Sequence, residues 1–254
     1  MIVSKTNQQL KKVRKLLSSA SERRKSGLFV VEGSRLFSET PEELVEAIYV
    51  SEDYRKDIPD RRLSEALLKK TEAVEKDLFR SLSDTVNPQG ILAVVRQPLW
   101  REPFEKFLEE PADGKALLLD GLRDPGNLGT ILRTAEAAGV RFVIMSPDCV
   151  DLYNPKVIRS TMGSIFRVPA LTADLETVIS RLGNKGKKIY GTSLSAVKSY
   201  READLSDAGI VIGSEAEGVS EKVLSCVTDT IKIPMQGQVE SLNAAVSAAI
   251  LMFC

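Results

Sequence analysis

Five short apolar runs in the second half of the chain, ALLLD (116–120), RFVIMS (141–146), KIYGTS (188–193), GIVIG (209–213) and TIKIP (230–234), constrain the fold most. Each is too short for a helix, and helical patterns separate them. Uninterrupted apolarity, rather than strict alternation, is what a strand needs when both of its faces are covered. The pattern predicts a parallel sheet with helices on both sides. The first half is another α/β block. NQQLKKVRKLLSS places Leu10, Val13, Leu16 and Leu17 at helical spacing, LFVVEG and AIYVSE read as strands, two further helical stretches follow, and GILAVV (90–95) reads as a closing strand. Between the halves, QPLWREPFEKFLEEPADGK (97–115) carries Pro98, Pro103 and Pro111 and reads as a linker with room for a short helix.

Of the 254 residues, 35 are Lys or Arg and 35 are Asp or Glu, so net charge names no partner. Its distribution does: Met1 to Arg35 hold nine basic residues against Glu22 and Glu32. Histidine is absent, which removes Ser-His-Asp and Cys-His catalysis and every histidine metal site. Cys149, Cys226 and Cys254 follow no metal spacing, so no metal is expected, and the cysteine usage suits a reducing cytoplasm. The start has no apolar segment of the secretory kind, and the longest apolar run, AAVSAAILMFC, falls short of the roughly 20 residues of a membrane span.

Ligands of parallel sheets sit beyond the carboxyl ends of the strands, and three such ends are rich in special residues. The first, DGLRDPGNLGTILRT, holds Gly121, Gly126 and Gly129, a spacing that fits neither the dinucleotide fingerprint nor the P-loop. Read alone, it is a turn and a helix start, with Asn127 as cap and Arg133 a solvated helix residue. The second, GIVIGSEAEGVS, puts Gly213 where bare backbone can approach a ligand, with Glu215 as a helix-start carboxylate in the plainest reading. The third, IKIPMQGQVESLNAAVSAA, offers Ser241 and Asn243, which could simply cap a final helix.

Together, DPGNLGTILRTAEAAGV, IVIGSEAEGVS and IPMQGQVESLNAAVSAA resemble the three motifs of the SpoU-type (TrmH-family) RNA ribose 2′-O-methyltransferases, in order and spacing. YNPKVIRSTMGSIFRVP also looks like that family, and KTNQQLKKVRKLL, LFVVEGSRLF and NPQGILAVV look like its N-terminal RNA-binding domain. The resemblance implies an N-terminal substrate-binding domain over 1–97, a linker over 98–115, and a parallel-sheet SPOUT domain over 116–254 whose C-terminal segment is threaded into a trefoil knot. It implies S-adenosylmethionine as cofactor, lying against the second and third motifs and GTSLS (191–195). The cofactor residues are then Thr192, Ser193, Leu194, Gly213, Glu215, Gly218, Ile233, Ser241 and Leu242. On the RNA side, it points to Asn127, Arg133, Glu215, Ser241 and Asn243 as catalytic residues. A guanidinium stays protonated in proteins and has no acceptor, which disfavours Arg133 as a base, so it is read as a phosphate clamp that lowers the hydroxyl's pKa.

The basic N-terminus fits RNA backbone binding through Lys11, Lys12, Arg14, Lys15, Arg23, Arg24 and Arg35, with Arg159 extending the surface. Residues 244–253 leave the terminal helix apolar almost all round, which asks for burial on more than one side. With the resemblance, that implies a homodimer in which Arg133 reaches the cofactor pocket of the other subunit. Structured RNA is the expected substrate, ribosomal first and transfer RNA second. A non-enzymatic RNA-binding protein is the alternative, and intact motif residues speak against it. A nucleotide-dependent dehydrogenase lacks its glycine spacing and acidic ribose ligand.

Overall fold

The computed structural model describes residues 1–54, 64–83, 85, 87–110 and 114–254. The chain forms two compact units, Met1–Pro98 with Tyr153–Phe166, and Leu99–Leu152 with Arg167–Cys254.

The first unit is built on a four-stranded mixed sheet of β1 (Leu28–Glu32), β2 (Val45–Ser51), β3 (Thr71–Val74) and β4 (Ile91–Arg96), in the order β1-β4-β2-β3. β4 runs antiparallel to both neighbours, and β3 joins β2 in parallel. The three expected strands form. β3 went unread because TEAV is a four-residue edge strand with too few positions to show a period. Helix α1 (Gln8–Ser18) buries Leu10, Val13 and Leu16 as its spacing predicts, and the Asn7 side chain accepts from the backbone N–H groups of Gln9 and Leu10. The short helices α2 (Ala20–Ser26), α3 (Ser34–Ser38), α4 (Glu65–Lys69) and α5 (Lys76–Arg80) complete the N-terminal part.

Of the basic residues expected on an RNA face, Lys11, Lys12, Lys15, Arg24 and Arg35 are exposed. Arg23 is not: it keeps 3% of its surface, and its guanidinium donates to the carbonyls of Leu16 at 2.5 Å and Leu17 at 3.2 Å. It closes the C-terminal end of α1, where helix carbonyls lack intrahelical donors. Arg14 is half-buried and donates to the Lys5 carbonyl at 3.0 Å and to Ser81 Oγ at 3.3 Å. Both side chains are therefore engaged in holding the unit together.

The second unit holds α6 (Arg101–Glu109), β5 (Ala116–Asp120), α7 (Pro125–Ala137), β6 (Phe142–Met145), β7 (Ala170–Thr172), α9 (Leu175–Asn184), β8 (Ile189–Thr192), β9 (Gly209–Gly213), α10 (Glu221–Leu224), β10 (Asp229–Ile231) and α11 (Ala244–Met252). Its six strands form one sheet, β10-β8-β9-β5-β6-β7, with every pairing parallel. All five residues of both β5 and β9 are buried, which is why these strands read as unbroken apolar runs. The expected linker thus carries α6, whose Phe104 and Phe107 pack on Phe142 in the core of this unit. Residues 111–113 of that linker lie outside the described residues.

The segment Tyr153–Phe166, with α8 (Pro155–Thr161), belongs to the first unit although its neighbours in sequence belong to the second. Phe29 anchors it, with ring centroids 4.9 Å from Tyr153 and 6.0 Å from Phe166. Arg159 of α8 sits 3.9 Å from the buried Glu32 carboxylate, so this arginine is committed to an ion pair rather than free on the surface.

Arg23→Ala should therefore act on folding. Loss of a buried charged donor leaves two helix carbonyls unpaired, and denaturant melts should show a loss of about 2 kcal/mol. Lys12→Ala, on the exposed side of α1, should leave the melt unchanged.

Candidate functional site

The special loops follow the carboxyl ends of β5, β8, β9 and β10, four adjacent strands. α7 begins directly after the first of them. Its cap is Asp124, whose Oδ1 accepts from the Asn127 backbone N–H at 2.7 Å, with Pro125 opening the first turn. The plain reading of Asn127 as the cap is thus wrong by three positions. Because Asp124 does the capping, the Asn127 side chain is left for other work. It also means that a carboxylate already occupies the start of α7, where a phosphate cradle would need vacant N–H groups.

The Asn127 amide donates through Nδ2 to Oε1 of Glu215 and accepts through Oδ1 from Nδ2 of Asn243 at 3.0 Å. Asn243 in turn caps α11, its Oδ1 accepting from the N–H groups of Ala245 at 2.9 Å and Val246 at 3.4 Å. The amide orientations follow from chemistry. Backbone N–H groups need the Asn243 oxygen, so its nitrogen must face Asn127, and the Asn127 nitrogen must then face the carboxylate. One hydrogen-bond chain of fixed polarity runs from the α11 N-terminus to Glu215 and joins the loops after β5, β9 and β10. Glu215 itself lies in the turn 214–218 and not at a helix start; Ser220 caps α10.

Beside this chain lies a cavity of about 410 Å³. Thr192, Ser193, Leu194, Gly213, Glu215, Gly218, Ile233, Ser241 and Leu242 all line it. Sequence reasoning did not pick out Glu217, Lys232, Met235 and Ser247, which also line it. All four lie in or beside the quoted motifs, but only the folded chain reveals which side chains face inward. Leu224 of α10 was missed as well. It belongs to no motif, and its partner is Gly191, where a Cβ would stand 2.8 Å from Leu224 Cδ2.

Gly213 has a different reason for being glycine than ligand approach. A Cβ there would fall 1.9 Å from the carbonyl carbon of Gly218 and 2.1 Å from the Val219 nitrogen. The turn folds back onto the strand end, with Ser214 and Gly218 exchanging backbone hydrogen bonds at 2.9 and 3.2 Å. Arg133 stands apart: it is exposed on α7, does not line the cavity, and makes no hydrogen bond or ion pair among the described residues.

The cavity has the volume of a small-molecule site. Leu194, Ile212, Ile233 and Leu242 offer an apolar wall for a flat ring, and Thr192, Ser193 and Ser241 offer hydroxyls. Two carboxylates, Glu215 and Glu217, against the single cation Lys232 make it better suited to a ligand that carries positive charge than to a phosphate. A cationic sulfonium with an adenine ring fits these surroundings.

The profile described as "SpoU rRNA Methylase family" matches residues 114–253. The chain belongs to that family. As a SpoU methylase it is an RNA ribose 2′-O-methyltransferase whose methyl donor is S-adenosylmethionine. A second profile, "MRM3-like substrate binding domain", matches residues 7–93. Among similar proteins, the 23S rRNA (guanosine(2553)-2'-O)-methyltransferase RlmP of Bacillus subtilis is 35% identical over 99% of this chain and 97% of its own length. The solved AdoMet-bound rRNA methyltransferase of Sinorhizobium meliloti superposes with a TM-score of 0.83 at 25% identity, covering 99% of this chain and 95% of its own. An RNA 2'-O ribose methyltransferase structure gives 0.75 at 31% identity, covering 99% of this chain and 96% of its own.

Gly213→Ala tests the folded-back turn of this SpoU site. The methyl group cannot be accommodated without opening the 214–218 loop, so stability should fall by about 3 kcal/mol in thermal or denaturant melts. Calorimetric titration with S-adenosylmethionine should show weakened binding in the same variant.

Proposed function

We propose that the protein methylates a 2′-hydroxyl of ribosomal RNA, and that it works as a homodimer in the cytoplasm. The observation that carries the site assignment is the chain Asn243–Asn127–Glu215 at the edge of the cavity. The full-length likeness to RlmP supports ribosomal over transfer RNA.

In this reading, Thr192, Ser193, Leu194, Gly213, Gly218, Ile233, Ser241 and Leu242 hold S-adenosylmethionine, which supplies an electrophilic methyl group. The C-terminal segment that carries the last of these follows the knotted path of the family. The ribose oxygen forms the new O–C bond as the C–S bond breaks, and the two must lie in line. Asn127 and Asn243, held in one orientation by the α11 N-terminus, fix the loops on either side of that line. Glu215 anchors the chain at its acceptor end. Arg133 holds a phosphate next to the reacting ribose and so favours the developing alkoxide. The hydroxyl proton leaves to a phosphate oxygen or water, since the guanidinium has no acceptor to offer.

The dimer rests on two features. α11 buries Ala244, Ala245, Ala248, Leu251 and Met252 within its own chain, against α7 and β9, while Val246 is 47% exposed and Phe253 just beyond the helix 64%. Arg133, exposed and without a partner among the described residues, is available to the cavity of a second copy. Each complete site then combines Arg133 of one subunit with Ser241 and Asn243 of the other.

Mapping 2′-O-methylation across ribosomal and transfer RNA with and without the gene should show one ribosomal position that loses its methyl group. Loss confined to transfer RNA would refute the ribosomal assignment. For the shared site, Arg133→Ala protein can be mixed with Asn243→Ser protein, which keeps a capping oxygen for α11. After subunit exchange, one of the two sites in the mixed dimer is intact, and activity should return to about a quarter of wild type if exchange is random. A mixture verified as exchanged that stays inactive would overturn the trans arrangement.

A further inference from the structure

The first unit has a cavity of its own, about 210 Å³, at the junction of the β2 end, α5 and the entry to β4. Its lining combines an aromatic ring, an amide and two cations: Tyr54, Gln89, Lys76 and Arg80, around the buried Phe79. Two glycines set the first pair. Gly90, at φ +77°, leaves space that Tyr54 fills; a Cβ there would stand 2.7 Å from Tyr54 Cβ and 3.1 Å from its Cγ. Gly33, at φ +98°, does the same for Gln89, whose Oε1 would be 2.7 Å from an added Cβ. That Oε1 is held by the Ser34 backbone N–H at 2.8 Å and by Ser34 Oγ at 3.2 Å. Gln89 therefore cannot turn its amide around. Its oxygen is committed to Ser34, and its NH₂ group makes no hydrogen bond among the described residues.

We propose that this cavity receives one unpaired nucleotide of the substrate RNA, distinct from the nucleotide that is methylated. The proposal rests on the reading of this protein as an RNA methyltransferase. A flat base stacks on the Tyr54 ring, and the two N–H donors of Gln89 face an acceptor on the base edge. Arg80 at the rim meets the phosphate: its side chain is 62% exposed, and its one carboxylate contact among the described residues, with Asp77, is at 4.0 Å. Lys76 is paired with Asp53 at 2.5 Å, but both side chains are about half exposed, so an incoming phosphate can share it at little cost. An apolar side chain would leave the Gln89 donors unsatisfied, whereas a base with a carbonyl oxygen uses them.

The test uses the full-length protein and three variants. Tyr54→Leu keeps bulk over Gly90 without an aromatic face. Gln89→Glu keeps an acceptor for Ser34 and removes the NH₂ donors. Arg80→Ala removes the rim cation. Tyr54→Leu and Gln89→Glu should each raise KM for a ribosomal RNA substrate about ten-fold, with kcat within about two-fold of wild type. S-adenosylmethionine affinity and melting temperature should not change. Arg80→Ala should lower the salt slope of RNA binding by about one. Independently of catalysis, 4-thiouridine RNA should photo-crosslink to the peptide holding Tyr54 or to that holding Pro88 and Gln89.

If wild-type protein methylates RNA while the variants keep its KM and crosslinks avoid these peptides, the pocket proposal is refuted and the methyltransferase reading stands. If crosslinks map here yet no RNA is methylated, the pocket stands and the reading falls. Free 4-thio-UMP that labels these peptides where 4-thiouridine RNA does not would make this an effector site and overturn the proposal. Should a variant melt early, the wild-type crosslink map decides alone.

Discussion

The arrangement of the site depends on the direction of one short hydrogen-bond chain. Unpaired N–H groups at the start of α11 require an oxygen, and Asn243 supplies it. Every later choice follows: which face Asn243 shows to Asn127, and which end of Asn127 meets Glu215. A helix terminus thus determines the orientation of two side-chain amides at the starts of different helices. Linked donors and acceptors of this kind polarise one another, so the chain is stiffer than three separate contacts. Because its members come from the loops after β5, β9 and β10, it also sets the spacing between those loops.

Much of this could be read in the amino-acid sequence, and the limits have physical causes. Four of the five apolar runs became largely buried parallel strands, because a two-sided environment leaves a plain signature, while TIKIP meets the edge strand β10 only at Thr230 and the buried Ile231. β3 and β7, at sheet edges and only four and three residues long, left none. The motif residues were identifiable by type and spacing, and the cavity collects all nine expected on its cofactor side. Their local roles were harder. Asp124, Asn127, Ser241 and Asn243 are all of capping type, and only the folded turns show that Asp124 and Asn243 cap while Asn127 bridges. Charge misled most. Arg23 sits in a basic run yet closes α1 from inside, because an arginine stem can reach buried carbonyls as well as solvent.

Domain boundaries show a similar limit. A reading along the chain assigns 153–166 to the catalytic half, where its motif-like residues fall. Its packing assigns it to the first unit through the Phe29 ring and the Glu32 carboxylate. Sequence proximity could not show this, since the partners of Tyr153, Arg159 and Phe166 lie more than a hundred positions away.

α11 has only nine residues, too few to hold a helical shape in water without support. Its end is tied by Lys115, which donates to the Met252 carbonyl at 2.8 Å, and its start by Asn243. One turn past that start, Val246 opens to solvent. A ligand gripped near Asn243 and a surface laid over Val246 would therefore steady the same short cylinder from two sides. Whatever orders one side lowers the entropic cost of ordering the other, so in the proposed dimer substrate capture and self-association would draw on a common reservoir of freedom. Dilution would then loosen the grip on small molecules even where no subunit boundary touches them.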